Sequence, residues 1–396
     1  MSKLIYMDNN ATTMAAPEVV EAMLPFLSEK YGNPSSIHSF GGNVAREIDI
    51  ARQRVAEFLG AENDYEIVFT GTGTESDNLA ILGSVAYYKE KKHIITTRVE
   101  HPAVLSLCKK LEQDGYRVTY VPVDREGNLD LDMLKKSVDD DTAIVSVMYA
   151  NNETGVIFPV EEIGEFLHEK GVAFHIDAVQ AAGKIPIDVK KINCDLLSVS
   201  GHKFHAPKGV GALYVRRGTR MRPVFIGGHQ EKGRRPGTHN VPGIVAIGKA
   251  AELAMHHAHD TDGMRKLRDK LENGILSQFK NCALNGNKIN RVPNTSNVGF
   301  EFIEGEAILL YMDSMGIAAS SGSACSSGSL EPSHVLRAMG VPFTSAHGSI
   351  RFSLSRYTTE EEVDYVIKVM PDVVNRLLEI SPYWDNDKKC GMPINL

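Results

Sequence analysis

Two stretches of the sequence end in residues that could together carry out Schiff-base chemistry. Residues 174–177 (FHID) predict a buried strand that ends in the carboxylate of Asp177, and residues 197–203 (LSVSGHK) predict a strand that runs into Lys203. A lysine amine can form an imine with an aldehyde, and a carboxylate can keep a pyridine nitrogen protonated so that the ring accepts electrons. A strand-end aspartate also serves as a helix cap, and a loop lysine is commonly solvated, so either residue alone leaves both interpretations open.

A glycine-rich turn could bind a phosphate group. Residues 70–76 (TGTGTES) lie between a predicted strand and a predicted helix. Backbone amides and hydroxyls at a helix N-terminus form a phosphate site. The turn is not a P-loop, since neither GKS nor GKT follows, and it lacks the full dinucleotide-binding fingerprint. A plain glycine turn with a Thr or Ser helix cap explains the same residues.

Histidines lie at the same predicted edge of the sheet. His101, in residues 99–102 (VEHP), follows a predicted strand and precedes a predicted helix. An imidazole there could stack on an aromatic cofactor and exchange protons near neutral pH, although a structural turn histidine is the other interpretation. His202 and His205, with His175, suggest a metal site, but no third ligand follows at a recognisable spacing. We therefore expect no metal.

Cys325 lies in a loop of serine and glycine, residues 320–329 (SSGSACSSGS). Small polar neighbours predict an exposed thiol on a mobile loop, which could act as a nucleophile and carry cargo outward. A tolerated surface cysteine is the alternative. The chain has 5 cysteines with no CxxC pair and no zinc spacing, and without a recognisable secretion signal we expect reduced thiols.

Two arginine motifs complete the candidate residues. Arg351, in residues 348–353 (GSIRFS), lies on a predicted strand and could bind a substrate carboxylate through two hydrogen bonds. Residues 233–238 (GRRPGT) form a Gly/Arg loop suited to an anion. Taken singly, both motifs also fit ordinary surface arginines.

Alternating strands and helices would position these residues. Seven β-rich runs, several of them separated by helical stretches, predict an α/β fold with a mainly parallel seven-stranded sheet and ligands at the carboxyl ends of its strands. The predicted strands are 66–70, 93–97, 118–122, 143–148, 173–176, 196–199 and 211–215, and helices are predicted at 76–91, 103–113 and 160–170.

A second, smaller α+β domain is predicted towards the C-terminus. A long helical stretch, 244–279, leads into it, and its last helix begins with a capping box from Thr359 to Glu362. The expected division is an N-terminal arm that packs with the small domain, a large cofactor-binding domain and a small C-terminal domain, at 1–14, 15–255 and 256–396 respectively.

Composition narrows the class of protein. The chain has 396 residues, of which 42% are hydrophobic and 23% charged, as in an ordinary soluble protein of one large and one smaller domain. A net charge of −7 argues against nucleic acid or an anionic membrane as the main partner. No apolar run approaches the ~20 residues that span a bilayer. A cytoplasmic protein is expected.

Taken in order, these motifs resemble those of the cysteine desulfurases, which are fold-type I pyridoxal-phosphate enzymes of the class-V aminotransferase group. The resemblance covers essentially the whole chain and rests on residues 8–13 (DNNATT), 32–36 (GNPSS), 73–78 (GTESDN), 100–101 (EH), 151–155 (NNETG), 177–180 (DAVQ), 200–203 (SGHK), 235–238 (RPGT) and 323–325 (SAC). The loop around Cys325 is similar to the subgroup with a long mobile cysteine loop. Residues 330–335 (LEPSHV) and 380–384 (ISPYW) are similar to the nitrogen-fixation (NifS-like) branch.

The resemblance implies a role for each candidate residue. Lys203 would bind pyridoxal 5'-phosphate through an imine and move the Cα proton of the substrate, while His101 would stack on the ring and transfer protons. Cys325 would attack the substrate sulfur. The remaining contacts would be Asp177 to the pyridinium nitrogen, Gln180 to the phenolic oxygen, Gly73, Thr74, Ser200 and His202 to the phosphate, Thr238 to the phosphate from a second subunit, Asn152 to cofactor and substrate, and Arg351 to the substrate carboxylate.

The implied activity is conversion of L-cysteine to L-alanine, with the sulfur held as a persulfide on Cys325. The implied partners are a second copy of the chain that shares its active sites and an iron–sulfur scaffold protein that accepts sulfur, for nitrogenase. No resident metal is implied, although Cys325 could contact an iron–sulfur cluster during transfer.

One motif departs from the family pattern, and rival functions remain. Pro236 and His239 flank residues 237–238 where a small residue and, in near relatives, an acid are expected, which weakens the expected contact of Thr238. The rivals on the same fold are a selenocysteine lyase and an aminotransferase, which needs no mobile cysteine. A non-catalytic sulfur-assembly scaffold is the rival from another class, and the combined presence of Lys203, Asp177 and His101 argues against it.

Overall fold

The computed structural model of the protein describes residues 4–257, 261–321, 332–385, 388 and 390–391. Its strands are β1 Ile5–Tyr6, β2 Ile67–Thr70, β3 His93–Thr97, β4 Arg117–Val121, β5 Thr142–Met148, β6 Ala173–Asp177, β7 Leu196–Ser200, β8 Gly211–Val215, β9 Cys282–Leu284, β10 Thr295–Phe300, β11 Ile317–Ala318, β12 Ser349–Ser353, β13 Trp384–Asp385 and β14 Cys390–Gly391. Its α-helices are α1 Pro17–Met23, α2 Pro25–Ser28, α3 Ser39–Leu59, α4 Gly73–Tyr87, α5 Pro102–Gln113, α6 Leu131–Ser137, α7 Val160–Lys170, α8 Val189–Ile192, α9 Val241–His257, α10 Thr261–Leu276, α11 Gly305–Ser314, α12 His334–Ala338, α13 Phe343–His347 and α14 Glu360–Ile380.

The central sheet has seven strands in the order β2-β8-β7-β6-β5-β3-β4. Strands β4, β3, β5, β6 and β7 run parallel to one another, and β8 runs antiparallel to both β2 and β7. This arrangement confirms the prediction of a mainly parallel seven-stranded sheet. In the register, Asp177 pairs with Met148 on one side and with Ser198 on the other. The carboxyl ends of β5, β6 and β7 therefore meet at one edge, where a ligand site is expected.

Local side-chain caps decide where the helices at this edge begin. Thr72 caps α4 by accepting a hydrogen bond from the amide of Glu75 at 3.0 Å. His101 caps α5 by accepting from the amide of Ala103 at 3.1 Å. The capping box predicted at α14 is present, because Thr359 and Glu362 each bond the backbone of the other.

The described residues form three hydrophobic clusters, and two of them pack the elements that surround the site. The first packs the sheet against α3, α7 and α9, and includes Val335 and Leu336 from α12. Helices α3 and α9 approach so closely that a Cβ on Gly248 would lie 2.6 Å from the Cα of Ala51. The second cluster joins β10, β12 and α14 to Ile5 and other residues near the N-terminus. Within the described ranges, no helix is long and apolar enough to cross a membrane.

A buried ion pair connects α10 to the segment that leads into β10. Both Nη nitrogens of Arg291 donate to Glu272, at 2.6 and 2.8 Å, and the side chains are only 3% and 8% exposed. The hydroxyl of Ser296 donates to the same carboxylate at 2.7 Å. Because these bonds fix the start of β10, they also fix Thr295, which contacts the N-terminal segment in the site.

Replacing Glu272 by glutamine should destabilise the second cluster. The substitution leaves the Arg291 charge buried without a counter-ion, which costs about 3 kcal/mol. Trp384 is the single tryptophan of the chain and packs against this cluster, so its fluorescence during urea unfolding reports the loss. The control is Glu169→Gln on the exposed face of α7, which should leave the unfolding midpoint unchanged. Equal midpoints for the two variants would contradict a stabilising role for this pair.

Candidate active site

A cavity of about 400 Å³ lies at the carboxyl ends of the parallel strands. It is lined by the ends of β5, β6 and β7, the start of α4 and part of the N-terminal segment. The sequence-predicted residues that it brings together are Gly73, Thr74, His101, Asn152, Asp177, Gln180, Ser200, His202, Lys203 and Arg351. Their individual roles towards a ligand stay predictions.

Two predicted site residues do not line this cavity. Thr238 is exposed on the surface of the chain, and the contact expected of it would be made to a second subunit. Cys325 lies outside the described residues, so the expectation of an exposed thiol on a mobile loop stays a prediction.

The N-terminal segment holds the amine of Lys203. A single 3-10 turn, Gly201–Lys203, follows β7 directly and places the lysine at the edge of the sheet. Its Nζ donates to the backbone oxygens of Asn10 at 2.5 Å and Ala11 at 2.9 Å. The amine therefore points across the cavity wall towards residues almost two hundred positions earlier in the chain.

Asn10 is buried in this wall and forms hydrogen bonds with several other residues. In the sequence it was noted only as part of the motif at residues 8–13. Its backbone oxygen also accepts from Nε2 of Gln180 at 2.9 Å, and its Nδ2 donates to the backbone oxygen of Asn152 at 3.1 Å. Its Oδ1 accepts from Lys184 at 2.8 Å, and Nδ2 donates to Thr295 at 2.9 Å. A single asparagine thus connects the N-terminal segment to β10 and to several site residues.

The carboxylate of Asp177 lies beside a second acid that the sequence did not single out. Burial raises the pKa of Asp177 to about 6, against the opposing effects of the Val179 amide and of Lys203. Burial and the charge of Asp177 raise the pKa of Asp77, on α4, well above its ordinary value. Oδ1 of Asp77 is buried without a hydrogen-bond partner in the described part of the chain. The sequence offered one signal for Asp77, namely a polar residue on the side of a predicted helix that faces the sheet.

His175 is buried beside these acids, and both of its ring nitrogens lie within hydrogen-bond distance of serine hydroxyls. Its two ring nitrogens lie 2.8 Å from Oγ of Ser146 and 2.9 Å from Oγ of Ser198, and burial lowers its pKa to about 3. Nε2 also lies 3.6 Å from Oδ1 of Asp77. Among the described residues, no three His, Cys, Asp or Glu side chains are grouped to bind a metal ion.

Two neutral imidazoles line the cavity. Burial, followed by the charge of Lys203, lowers the pKa of both His101 and His202 to about 4. Because Nδ1 of His101 accepts from the Ala103 amide, the proton of its neutral ring is on Nε2. Nδ1 of His202 lies 3.2 Å from the hydroxyl of Thr12. At neutral pH the cationic groups of the site are therefore its lysine and arginine side chains.

Residue 73, at the start of α4, packs so closely against its neighbours that a side chain there would clash. A Cβ on Gly73 would lie 2.8 Å from Cγ2 of Val179 and 3.3 Å from Cβ of Ser200. The backbone amides at the start of this 15-residue helix, with Thr74 and Ser200, form a set of donors at its N-terminus. Such a set suits an anionic group.

Arg351 lies at the opposite wall on β12. It donates from Nη1 to the backbone oxygen of Asn152 at 3.0 Å and from Nη2 to Oδ1 of Asp8 at 2.7 Å. Its Nε is buried and has no hydrogen-bond partner among the described residues. Burial raises the pKa of the neighbouring Glu153 to about 7, against the effects of Ser333 and of Arg351.

The Gly/Arg loop is held by an acid of its own. Glu231 accepts two hydrogen bonds from Arg52, at 2.6 and 2.8 Å, and lies 2.8 Å from Nε2 of His239. Although burial opposes it, these bonds lower the pKa of Glu231 to about 2. His239, which departs from the family pattern, therefore has a structural partner. Arg235 donates to Glu75 at 2.6 Å, so its side chain is engaged within the chain.

Glu100, the residue before His101, is fully buried beneath the cavity. Its Oε1 accepts from the hydroxyl of Thr97 at 2.7 Å and from the amide of Met148 at 2.9 Å, while Oε2 has no partner in the described residues. Burial, the largest effect, raises the pKa of Glu100 to about 8. Below that pH the folded protein keeps the carboxyl protonated.

This shift predicts a pH-dependent effect of Glu100→Gln. The unfolded chain releases the proton near its ordinary pKa of 4.5, whereas the folded chain holds it to about 8, so stability falls as pH rises between these values. Glutamine does not titrate, so the stability of the variant relative to the parent should rise by about 1–2 kcal/mol between about pH 6 and about pH 8. Urea unfolding at both pH values measures the difference. Glu165→Gln, at an exposed position, should show no such trend, and a pH-independent effect of Glu100→Gln would refute the buried protonated acid.

Known proteins resemble this chain over nearly its whole length. The sequence profile of the class-V aminotransferases matches residues 5–366. A protein of Trichormus azollae named "Cysteine desulfurase" is 59% identical over 385 residues, covering 97% of this chain and 96% of its own. "Cysteine desulfurase NifS" of Azotobacter vinelandii is 56% identical over 384 residues, covering 97% and 96%.

A solved structure described as a "NIFS-LIKE PROTEIN" superposes with a TM-score of 0.89 at 42% identity, and it covers 94% of this chain and 100% of its own. The fold is thus the one that the motifs implied, the fold-type I architecture. The chain belongs to the class-V aminotransferase family, in the group that contains the NifS-like cysteine desulfurases.

Proposed function

We propose that the protein is a cysteine desulfurase, which converts L-cysteine to L-alanine and holds the sulfur on Cys325 as a persulfide. The observation that carries this proposal is the single cavity lined by Lys203, Asp177, His101 and Arg351. The close similarity to proteins named cysteine desulfurase supports it.

Pyridoxal 5'-phosphate fits the donor set of this cavity. The helix N-terminus at Gly73, which lines the cavity, suits the phosphate. Thr74, Ser200 and His202 would contribute further donors, and Gln180 would bond the phenolic oxygen. When bound, the cofactor supplies an aldehyde that captures amines and a ring that accepts electrons from Cα.

Asp177 and Lys203 are placed for the proton chemistry that this cofactor needs. A pyridinium beside Asp177 would supply the positive charge that its buried carboxylate lacks, and so would favour the ionised acid. Lys203 would bind the cofactor and then carry a proton to and from Cα of the substrate. His101, neutral with its proton on Nε2, would stack on the ring and offer that proton.

The substrate carboxylate would bind Arg351, and Asn152 would contact both cofactor and substrate. Arg351 presents a buried Nε without a partner among the described residues, and its Nη2 is satisfied by Asp8. A carboxylate that entered the cavity would complete the hydrogen bonds of this guanidinium group. Burial in the cavity wall keeps the arginine oriented before substrate arrives.

Sulfur transfer balances without an added oxidant. The Cys325 thiolate attacks the substrate sulfur, so that a sulfur–sulfur bond forms as the Cβ–sulfur bond breaks. The electron pair of the broken bond stays on the carbon fragment, which takes up protons and leaves as alanine. Cys325 is left as a persulfide.

The family resemblance also implies an oligomeric state, a domain division and a sulfur acceptor. We propose a homodimer in which Thr238 reaches the phosphate of the neighbouring site, so that catalysis requires both subunits. The proposed division of each subunit is an arm at 1–14, a large domain at 15–255 and a small domain at 256–396. The proposed sulfur acceptor is an iron–sulfur scaffold protein in the cytoplasm that serves nitrogenase. No resident metal is proposed, and Cys325 could contact an iron–sulfur cluster during transfer.

Cys325→Ala should abolish alanine release from L-cysteine while leaving the visible absorbance of the cofactor intact, because the variant keeps the cofactor site and loses the nucleophile. Incubation with L-cysteine followed by peptide mass measurement should show one added sulfur on the Cys325 peptide of the parent protein. Cys390→Ala, which removes the thiol of an exposed cysteine, serves as the control and should stay active. Retained desulfuration in Cys325→Ala would refute the assigned nucleophile, and retained activity towards amino-group transfer alone would favour an aminotransferase.

Lys203→Ala should remove the visible absorption band and all turnover, since no other lysine lines this cavity in the described structure. The measurement is the absorption spectrum after incubation with pyridoxal phosphate and desalting. Lys208→Ala, an exposed lysine on the following loop, should keep the band. A parent protein that shows no band at all would support a scaffold without catalytic activity.

A further inference from the structure

A second cavity, of about 490 Å³, shares Lys203 with the candidate active site and extends away from it. It lies between the loop after β12, the C-terminal end of α9, the N-terminal part of α10 and the wall that contains Asn9. Its volume falls in the range of small-ligand sites. Nothing in the proposed reaction uses this space.

The lining of this second cavity is strongly cationic, although the whole chain carries a net charge of −7. The basic side chains that line it are Lys184, Lys203, His205, His257, Lys266, Lys270 and Arg356. Among its described lining residues Glu360 is the single acid, and Lys270 already binds it at 2.6 Å. Lys266 and Arg356 form no ion pair with any described residue.

Lys184 forms part of the inner wall and is 94% buried, with 6% exposed. Its ammonium group reaches two acceptors among the described residues, Oδ1 of Asn10 and Oε1 of Gln180, and both are neutral amide oxygens. An ammonium group has three donors, so one is left for a ligand. A buried cation without a counter-ion is costly, and burial lowers the pKa of Lys184 well below its ordinary value.

The pKa of His205 is affected by the positive charges around this cavity. Burial lowers its pKa to about 4, and the charges of Arg356 and Lys184 act in the same direction. Its Nδ1 lies 2.9 Å from the backbone oxygen of Met14, so the ring is fixed in place. The cavity therefore combines enclosed volume, unpaired cations and a donor in its wall.

We propose that this cavity binds a small organic polyanion, with Lys184, Lys266 and Arg356 as its charged contacts. Carboxylate and phosphate oxygens both accept the hydrogen bonds that these groups offer, so the ligand class is a di- or tricarboxylate or a phosphate ester. Asn10 accepts from Lys184 through its side chain and from Lys203 through its backbone. A bound anion would therefore lie one hydrogen-bonded residue away from the active-site amine.

The test is calorimetric titration of the cofactor-loaded protein with citrate and, separately, with glycerol 3-phosphate at constant ionic strength. Saturable binding of one anion per chain is expected for at least one of the two probes, and the preferred probe identifies the oxygen chemistry. The double variant Lys266→Gln, Arg356→Gln should weaken that binding by about tenfold or more. Both positions are at least partly exposed, so the fold should persist, and circular dichroism checks this.

Two controls locate the binding site. Lys89→Gln removes an exposed lysine distant from the cavity lining and should leave the affinity unchanged. Arg351→Gln removes the carboxylate contact of the active site and should also leave it unchanged. Absence of saturable binding for both probes would overturn the proposal, as would affinity that survives the double variant or is lost in Arg351→Gln.

Discussion

The hydrogen bonds of Asn10 are the constraint on which the site depends. A buried asparagine must satisfy its amide and backbone groups, and here the partners come from the sheet edge, from β10 and from Lys203. Each bond contributes little by itself, but a buried group left without a partner costs about 1–3 kcal/mol. Movement of the N-terminal segment would break several of these bonds together. The position of the amine is therefore coupled to the packing of both clusters.

Burial, rather than ion pairing, sets the charges of the cavity wall. Asp177, Glu100 and Lys184 all have pKa values shifted towards the neutral form, and burial is the largest cause for each. Ionisable groups with such shifted pKa values can change their protonation state or bind a charged partner when a ligand enters. The pyridinium proposed beside Asp177 and the anion proposed beside Lys184 would each supply an opposite charge to the buried group. In both cavities burial favours the neutral form of an ionisable group, which is an acid in the first cavity and a base in the second.

Much of the fold could be predicted because local patterns agreed with it. The strands at 93–97 and 211–215 have the predicted bounds, and α7 does as well. Helix α4 was expected to begin at Ser76 but begins at Gly73, since Thr72 caps it and overrides the usual preference of glycine for turns. The pairing of β1 with β11 joins two-residue strands more than three hundred residues apart, and no local pattern encodes it. Asp77 and Asn10 were missed for the same reason, because their importance arises from tertiary neighbours.

The pairing of Arg351 with Asp8 shows how an arginine can be kept buried in the wall of this cavity. An uncompensated guanidinium in this wall would be costly, and the carboxylate of Asp8 offsets part of that cost from one side. Asp8 is linked in turn by a backbone bridge to Ser353, on the same strand as Arg351. The opposite edge of the guanidinium, at Nε, keeps an unused donor. Because the backbone oxygen of Asn152 and the carboxylate of Asp8 hold its two Nη groups, the guanidinium is oriented by the protein itself.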